Sequence, residues 1–137
     1  PFQYPEKLIP LSVKHLQRGK KIRLHNAGEP VRNWLHADDT AEAVVTIIER
    51  GQINEIYNVA GNLQQKNKDT VKKVINNFFN NEYNWVEHVD LAYVREGQDV
   101  RYALNDEKLR ALGWNNKKSF DEEIPKLVEY YKQNFKW

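Results

Sequence analysis

Apolar residues recur three and four positions apart in several stretches of the chain, and this spacing places them on one face of an α-helix. The pattern predicts helices over residues 7–17, from Asp39 to Gly51, after Asn67, after Asn105 and after Ser119. The expected apolar faces are, in chain order, Ile9, Val13 and Leu16; Ala41, Val44, Val45 and Ile48; Val71, Val74, Ile75, Phe78 and Phe79; Leu109 and Leu112; and Phe120, Ile124, Leu127, Val128 and Tyr131. Each face gives its helix a side to bury in a core.

Polar residues mark where these helices begin. Asp39 and Glu42 have the spacing of a capping box, in which the two side chains accept hydrogen bonds from free backbone N–H groups of the first turn. Ser119 and Glu122 repeat that spacing at the last helix. Asn67 is a favourable N-cap residue, so the third long helix is expected to follow it.

Short stretches between the helices have the composition of strands. Residues 20–25, 53–60 and 83–89 predict strands, separated from the helices by turns and polar loops. Helices that alternate with short strands indicate the α/β class. The expectation is therefore one small mixed domain over residues 1–137, with about five helices and short strands.

The composition fits a folded domain and argues against several classes of function. Of the 137 residues, 40% are hydrophobic and 29% are charged, and the net charge of +2 is too small to indicate a nucleic acid or membrane partner. The basic residues within 14–23 are expected to form a solvated helix end, and only steeply salt-dependent DNA binding would favour nucleic acid. No apolar run approaches the roughly 18 residues of a membrane span.

Two residue types are absent from the chain. Without cysteine there is no disulfide, no thiolate nucleophile and no Cys-type zinc site, a usage that fits a cytoplasmic protein. The chain has no methionine and starts at Pro1, so we expect a piece of a longer protein or a mature product. Its first residues have neither the basic nor the apolar region of a signal peptide.

Several catalytic and cofactor motifs are also absent. The closest glycines, Gly19 and Gly28, are nine positions apart, so no glycine-rich turn can cradle a pyrophosphate. There is neither a Tyr-x-x-x-Lys pair nor a G-x-S-x-G elbow. The four histidines lack metal-ligand spacing. We therefore expect no catalytic residue, no bound cofactor and no metal in this chain alone.

Four polar clusters occupy loops or helix starts, where binding groups are common. They are Glu6-Lys7, Arg32-Asn33-Trp34, residues 64–67 and residues 95–101. Their simpler roles are solvation for Lys7, stacking on Trp34 or pairing with Asp38 for Arg32, capping for Asn67, and surface pairing with Glu96 and Asp99 for Arg95 and Arg101. Together they would form a diphosphate site, because arginine matches phosphate oxygens in a bidentate way and a helix N-terminus offers free N–H groups.

These same stretches resemble the C-terminal, nucleotide-sugar-binding part of dTDP-glucose 4,6-dehydratases, in the extended short-chain dehydrogenase/reductase superfamily of NAD-dependent epimerases and dehydratases. The matching stretches are F-Q-Y-P-E-K-L-I-P-L at 2–11, V-R-N-W-L-H-A-D-D at 31–39, I-Y-N-V-A-G-N at 56–62, R-E-G-Q-D-V-R-Y-A at 95–103 and L-R-A-L-G-W at 109–114. They follow the family's order and spacing over almost the whole chain. The resemblance implies a lyase of dTDP-rhamnose biosynthesis as the parent enzyme.

The resemblance also implies roles for individual residues. Lys7 and Leu8 would line the nucleotide-sugar pocket, and Arg32 would hold the diphosphate. Asn67 would donate to the diphosphate or ribose, and Arg95 would contact the nucleotide beside Gln98, which stands where the family usually has histidine. Asp39 matches a family aspartate, but its capping box assigns it a structural role.

The resemblance further implies partners that lie outside this chain. In the family an N-terminal Rossmann half binds NAD and carries the catalytic Tyr-x-x-x-Lys, so that half is the expected partner, with a homodimer as a further expectation. The chain departs from the pattern at Glu96 and Gln98, and at His25-Asn26 in place of a Tyr-Gly pair. An epimerase or decarboxylase of the same superfamily and a non-catalytic nucleotide-sugar-binding module are the alternatives.

Overall fold

The computed structural model describes residues 2–81 and 84–134. Within those ranges the elements are, in chain order, α1 (Leu8–Gln17), β1 (Ile22–Arg23), a 3₁₀ turn (His25–Gly28), β2 (Val31–Trp34), α2 (Ala37–Arg50), β3 (Leu63–Lys66), α3 (Asn67–Phe79), a second 3₁₀ turn (Trp85–His88), β4 (Val89–Asp90), α4 (Glu107–Arg110) and α5 (Phe120–Gln133). The predicted α/β class, with five helices and short strands, is confirmed for this part of the chain.

The main core lies where α1, α3 and α5 pack against one another. The apolar faces predicted for these three helices supply most of it, and Val13, Val71 and Ile75 are completely buried. Burial of each such side chain stabilises the fold by about 1.5–3 kcal/mol. The spacing of apolar residues therefore predicts this part of the core correctly.

A smaller apolar cluster lies apart from the main core. Ala43 of α2, Leu109 of α4 and Trp114 form its buried centre. The backbone carbonyl of Asp39 accepts a hydrogen bond from Nε1 of Trp114 at 3.1 Å, so the one polar atom of that indole ring has a partner. This contact joins the start of α2 to the segment that connects α4 to α5.

Two two-stranded sheets connect the helices. In one, β2 pairs antiparallel with β3, from Val31 opposite Lys66 to Trp34 opposite Leu63. In the other, β1 pairs in parallel with β4. Because two strands alone are marginally stable, both sheets depend on the helices packed beside them.

The three predicted strands are largely wrong in extent. Residues 20–25 shorten to β1, and residues 53–60 form no strand in the described structure. Within 83–89, Tyr83 lies outside the described residues, a 3₁₀ turn covers Trp85–His88, and β4 begins only at Val89. β-Propensity marks residues that suit a pleated surface, but a strand also needs a neighbouring edge with which to pair.

The predicted capping interactions are also wrong in detail. α2 begins at Ala37 with His36 as N-cap, so Asp39 and Glu42 form no capping box. Ser119 does precede α5, but its side chain makes no capping hydrogen bond. Asn67 is the first residue of α3 and Lys66 is its N-cap. The five predicted helices themselves are confirmed. They form without the predicted caps because tertiary packing, rather than capping, supplies most of the stability of a helix in a protein.

The apolar face predicted for α2 is not buried. Val44, Val45 and Ile48 are exposed, Ile48 by 78%, whereas Ala43 is completely buried. Ile53 and Ile56, just beyond the helix, are exposed as well. Among the described residues no helix combines the length and apolar character that a membrane crossing requires.

Candidate functional site

Strand β2 brings three of the four predicted polar clusters together. Arg32 on β2 lies opposite Gln65 on β3, the strand that leads directly into Asn67. On the other side, Val31 makes a parallel bridge to Arg101. Arg101 in turn donates from Nε to Oε1 of Gln64 at 2.8 Å. Segments far apart in sequence thus meet around one strand.

Arg32 is held by two carbonyls and one aromatic ring. Its Nη1 donates to the carbonyl oxygens of Val31 at 2.8 Å and Asp99 at 3.1 Å. Its guanidinium carbon lies 4.4 Å from the ring centroid of Tyr102, a cation–π distance. Among the hydrogen bonds of the described residues none uses Nε or Nη2 of Arg32, so these donors remain available to an anion.

The two simpler roles predicted for Arg32 are wrong. Trp34 instead packs edge-on against Phe120, with ring centroids 5.4 Å apart. Asp38 lies 3.5 Å from Nζ of Lys118. Side chains alternate across a strand, so Trp34 and Arg32 lie on the same face, but the Tyr102 ring is the one that the guanidinium meets.

Tyr102 is tied to the same loop as Arg32. Its hydroxyl donates to the Asp99 carboxylate, and this hydrogen bond, with the charge of Asp99, raises the pKa of Tyr102 above its usual value. The phenol therefore stays protonated across the physiological range. The Tyr102 ring and the Asp99 carbonyl hold the guanidinium from two sides.

Asn67 occupies the first position of α3 and contacts the residue that precedes β2. Its backbone N–H donates to the carbonyl of Pro30 at 3.0 Å. Its side-chain oxygen Oδ1 is buried and accepts no hydrogen bond within the described residues. The predicted capping role is wrong for Asn67, and its role as a donor to a diphosphate or ribose stays a prediction.

Acidic and basic groups compensate one another beside this helix start. Glu29 pairs with Lys66 at 2.6 Å and also with Lys68. Hydrogen bonds from the two lysines, that of Lys66 first, lower the pKa of Glu29 to about 2. Glu29 is therefore ionised at neutral pH and neutralises part of the lysine charge next to Asn67.

The loop that carries Arg95 and Gln98 is fastened to the first 3₁₀ turn. Asn26 in that turn accepts from the backbone N–H of Arg95 at 2.9 Å and donates to Oε1 of Gln98 at 3.2 Å. The Arg95 side chain is exposed, and the predicted pairing of Arg95 and Arg101 with Glu96 and Asp99 is not found among the described ion pairs. Asp99 is used by Arg32 and Tyr102 instead.

Lys7 and Leu8 are not joined to this cluster by any described contact. Lys7 lies 3.7 Å from Glu6 and is largely exposed. Leu8 starts α1 and packs against the main core. Their predicted place in a nucleotide-sugar pocket therefore remains a prediction.

A cavity of about 670 Å³ lies elsewhere, beside α5 and the start of α2. None of the six predicted site residues lines it. Its walls carry the carboxyl groups of Asp39, Asp121 and Glu123 and the amino groups of Lys117 and Lys118. Hydrogen bonding to Lys126 lowers the pKa of Glu123, which stays negative at neutral pH. Because the cavity contains none of the predicted site residues, the cluster around Arg32 is the candidate site that both the sequence and the structure support.

Sequence reasoning left Tyr102 and Asn26 without roles. Tyr102 lies in the R-E-G-Q-D-V-R-Y-A stretch, and its proximity to Arg32 follows from the bridge between Val31 and Arg101. Asn26 falls in a turn-rich stretch, where asparagine is common for its tolerance of left-handed backbone. The hydrogen bond between Asn26 and Arg95 joins residues 69 positions apart, and a single sequence carries no signal for such a contact.

Two solved dehydratases have the same fold as this chain. The dTDP-glucose 4,6-dehydratase of Streptomyces venezuelae, solved with NAD, matches with a TM-score of 0.86 and 32% identity, over 98% of this chain and 41% of that chain. The Bacillus anthracis dTDP-glucose 4,6-dehydratase, also in complex with NAD, matches with a TM-score of 0.84 and 34% identity, over 98% and 41%. The fold is thus that of part of an extended short-chain dehydrogenase/reductase.

The chain belongs to the GDP-mannose 4,6 dehydratase family, whose model matches residues 1–127. It is 36% identical to dTDP-glucose 4,6-dehydratase 1 of Escherichia coli over 141 aligned residues, which cover the whole chain and 39% of that relative. The resemblance found in the sequence is confirmed at the level of the family. The chain spans about two-fifths of the length of such relatives.

Proposed function

We propose that this chain binds and orients a nucleotide-diphosphate sugar, dTDP-glucose as the first candidate, for a NAD-dependent 4,6-dehydration completed by an N-terminal Rossmann half. The observation that carries the proposal is the position of Arg32. Its guanidinium is held by Tyr102 and the Asp99 carbonyl, and two of its nitrogen atoms keep donors free of described partners. A guanidinium fixed in this way donates to phosphate oxygens without first losing side-chain freedom.

The neighbouring groups support a nucleotide diphosphate as the ligand. The backbone at the start of α3 and the Asn67 side chain offer polar groups on the β3 side of Arg32. Arg95 and Gln98 offer a cation and an amide on the other side. The relatives named dTDP-glucose 4,6-dehydratase favour a thymidine nucleotide, and the family description makes GDP-mannose the natural competitor.

NAD belongs to the proposal only through the Rossmann half. This chain has no glycine-rich turn of the kind that cradles a pyrophosphate, so no step of the reaction is assigned to NAD bound by its residues. The share proposed for this chain is binding and orientation of the sugar nucleotide.

Replacement of Arg32 by alanine tests the proposal. We expect the chain to bind dTDP-glucose and Arg32→Ala to bind it about 10- to 100-fold more weakly, since hydrogen bonds to charged groups contribute about 1.5–3 kcal/mol. Isothermal titration calorimetry with dTDP-glucose, UDP-glucose, GDP-mannose and NAD measures both quantities.

Arg18→Ala is the matched control, because Arg18 follows α1 and makes no side-chain contact with the cluster within the described ranges 2–81 and 84–134. Equal affinities of Arg32→Ala and the unaltered chain would contradict the assignment of Arg32. Preference for UDP-glucose would favour the epimerase alternative, and preference for GDP-mannose would change the base.

We also propose that the N-terminal Rossmann half covers the exposed apolar face of α2. The face is formed by Val44, Val45 and Ile48, and residues 53–60, which form no strand in the described structure, expose Ile53 and Ile56 as well. Contiguous exposed apolar surface of this kind marks an interaction site. The match covers only 39% of the E. coli relative, and the rest of that protein corresponds to the half that we propose as the partner of this surface.

Ile48→Lys is expected to leave the free energy of unfolding within about 0.5 kcal/mol of the unaltered chain, because Ile48 is 78% exposed. It should abolish complex formation with the part of the E. coli relative that lies outside the match, measured by analytical ultracentrifugation. Ile47→Lys is the contrasting variant: Ile47 packs on the smaller cluster, and urea unfolding should show a loss of about 2 kcal/mol. A homodimer that Ile48→Lys dissociates would identify a second copy as the occupant instead.

A further inference from the structure

The first 3₁₀ turn contains two successive residues in the left-handed conformation. Asn26 has φ 51° and Ala27 has φ 54°. Left-handed backbone costs a residue with a Cβ atom roughly 1–2 kcal/mol, and asparagine tolerates it best. A turn of this kind persists only where surrounding contacts hold it, so the contacts of Asn26 are of interest.

Asn26 makes four hydrogen bonds to one distant segment. Its backbone N–H donates to the Tyr93 carbonyl at 2.7 Å. Its Oδ1 accepts from the Arg95 N–H at 2.9 Å, and its Nδ2 donates to the Arg95 carbonyl at 3.1 Å and to Gln98 Oε1 at 3.2 Å. The left-handed turn directs the Asn26 side chain toward the loop, where it hydrogen-bonds both the backbone N–H and the carbonyl of Arg95.

The last of these bonds fixes the direction of the Gln98 amide. Because Oε1 of Gln98 accepts from Asn26, the NH₂ group of Gln98 is the end left for another partner. No hydrogen bond among the described residues uses that NH₂ group. Position 98 therefore presents an uncharged donor that does not titrate, and its natural partner is an acceptor oxygen.

The other end of the same loop is fastened by the candidate site itself. The carbonyl of Asp99 accepts from Arg32, and the carboxylate of Asp99 accepts from Tyr102. Asn26 and Arg32 thus hold the loop on either side of Gln98. The Asn26 side chain holds Arg95 through the backbone N–H and carbonyl of that residue, whereas the fastening at Asp99 uses the guanidinium of Arg32, which would also bind the ligand.

We infer that Asn26 is a positioning residue for the nucleotide-sugar site, acting through Gln98. Asn26 holds residues 95–98 in place before the ligand binds and turns the Gln98 NH₂ group toward an acceptor oxygen of the nucleotide. The inference rests on the proposed function, since it names how one side of that site is organised. A preorganised loop binds more tightly because less freedom is lost on binding.

Asn26→Gly removes the side chain while keeping a residue that accepts positive φ. Ala27→Gly is the matched control, because it changes the adjacent left-handed residue without removing a hydrogen bond. In the free chain, NMR measurement of amide exchange should show the Arg95 N–H exchanging about tenfold faster in Asn26→Gly and unchanged in Ala27→Gly. Affinity for dTDP-glucose should fall about five- to tenfold in Asn26→Gly and stay within twofold in Ala27→Gly.

A double-mutant cycle with Gln98→Ala separates positioning from a general loosening of the fold. If Asn26 acts through Gln98, the double variant should bind no more weakly than Gln98→Ala alone. Fully additive losses of affinity would overturn the inference, as would an unchanged Arg95 exchange rate in Asn26→Gly. Failure of the unaltered chain to bind any nucleotide sugar would overturn the proposed function, whereas the Arg95 exchange rate still decides whether Asn26 holds the loop.

Discussion

Asp39→Ala is expected to lower the free energy of unfolding by about 3 kcal/mol. Asp39 is 1% exposed, and its two carboxylate oxygens accept from the backbone N–H groups of Lys117 at 3.0 Å and Lys118 at 3.2 Å. Each buried donor left without an acceptor costs about 1–3 kcal/mol. The substitution leaves these two partly buried donors without their acceptor where α2 meets the segment before α5, and urea denaturation followed by circular dichroism measures the loss.

Asp38→Ala is the matched control for this prediction. Asp38 is the preceding residue on α2, with a side chain that is 64% exposed and pairs only loosely with Lys118 at 3.5 Å. We expect a loss of less than about 1 kcal/mol, from a surface pair and the helix dipole. Equal losses in the two variants would show that Asp39 acts only as an acidic residue in the first turn of α2.

Asp39 shows what a local sequence pattern leaves undetermined. Asp39 and Glu42 satisfy the capping-box spacing, yet Asp39 caps backbone N–H groups that lie 78 and 79 positions further along the chain. Nothing in the local sequence distinguishes a carboxylate that accepts from its own helix from one that accepts from a distant segment. The helix was predictable, and the partner of its carboxylate was not.

The predicted face of α2 and the predicted strand at 53–60 fail for one physical reason. Both patterns record surfaces that suit burial, but the described residues provide nothing to cover Val44, Val45 and Ile48, and no edge pairs with the extended segment. In α1, α3 and α5 the same kind of pattern is satisfied within the chain, and there the prediction of the core is correct. Periodicity indicates which side is apolar, not which molecule covers it.

The candidate site was predictable in composition but not in arrangement. The stretches that hold Arg32, Asn67, Arg95 and Gln98 stand out in the sequence, and β2 brings their segments together. Their mutual contacts run through Asn26, Asp99 and Tyr102, whose roles depend on backbone bridges between distant segments. The family resemblance indicates which positions belong to the site. Where the chain departs from the family, as at Asn26 and Gln98, only its own structure shows which contacts the residues make.

The site also depends on a close backbone approach at Gly61. A Cβ atom added there would lie 1.7 Å from the Trp34 carbonyl oxygen and 2.8 Å from Oδ1 of Asn33. The atom in the way is backbone at the end of β2, so it cannot rotate aside as a long side chain would. Gly61 precedes Leu63, the residue that pairs with Trp34.

Gly61→Ala is therefore expected to force β2 and the start of β3 apart and to lower the free energy of unfolding by about 3 kcal/mol. Because Arg32 lies on β2, the affinity for dTDP-glucose should fall with it. Gly19→Ala is the control: Gly19 has φ 61° but nothing within 4 Å of its added Cβ atom, so only backbone strain of about 1 kcal/mol is expected. The urea midpoints of the two variants are compared, and calorimetry gives the affinity of each variant that folds. A lower midpoint for Gly61→Ala than for Gly19→Ala would show the effect of the steric clash beyond that of replacing a glycine. Equal midpoints would mean that β2 moves away from residue 61 at little cost.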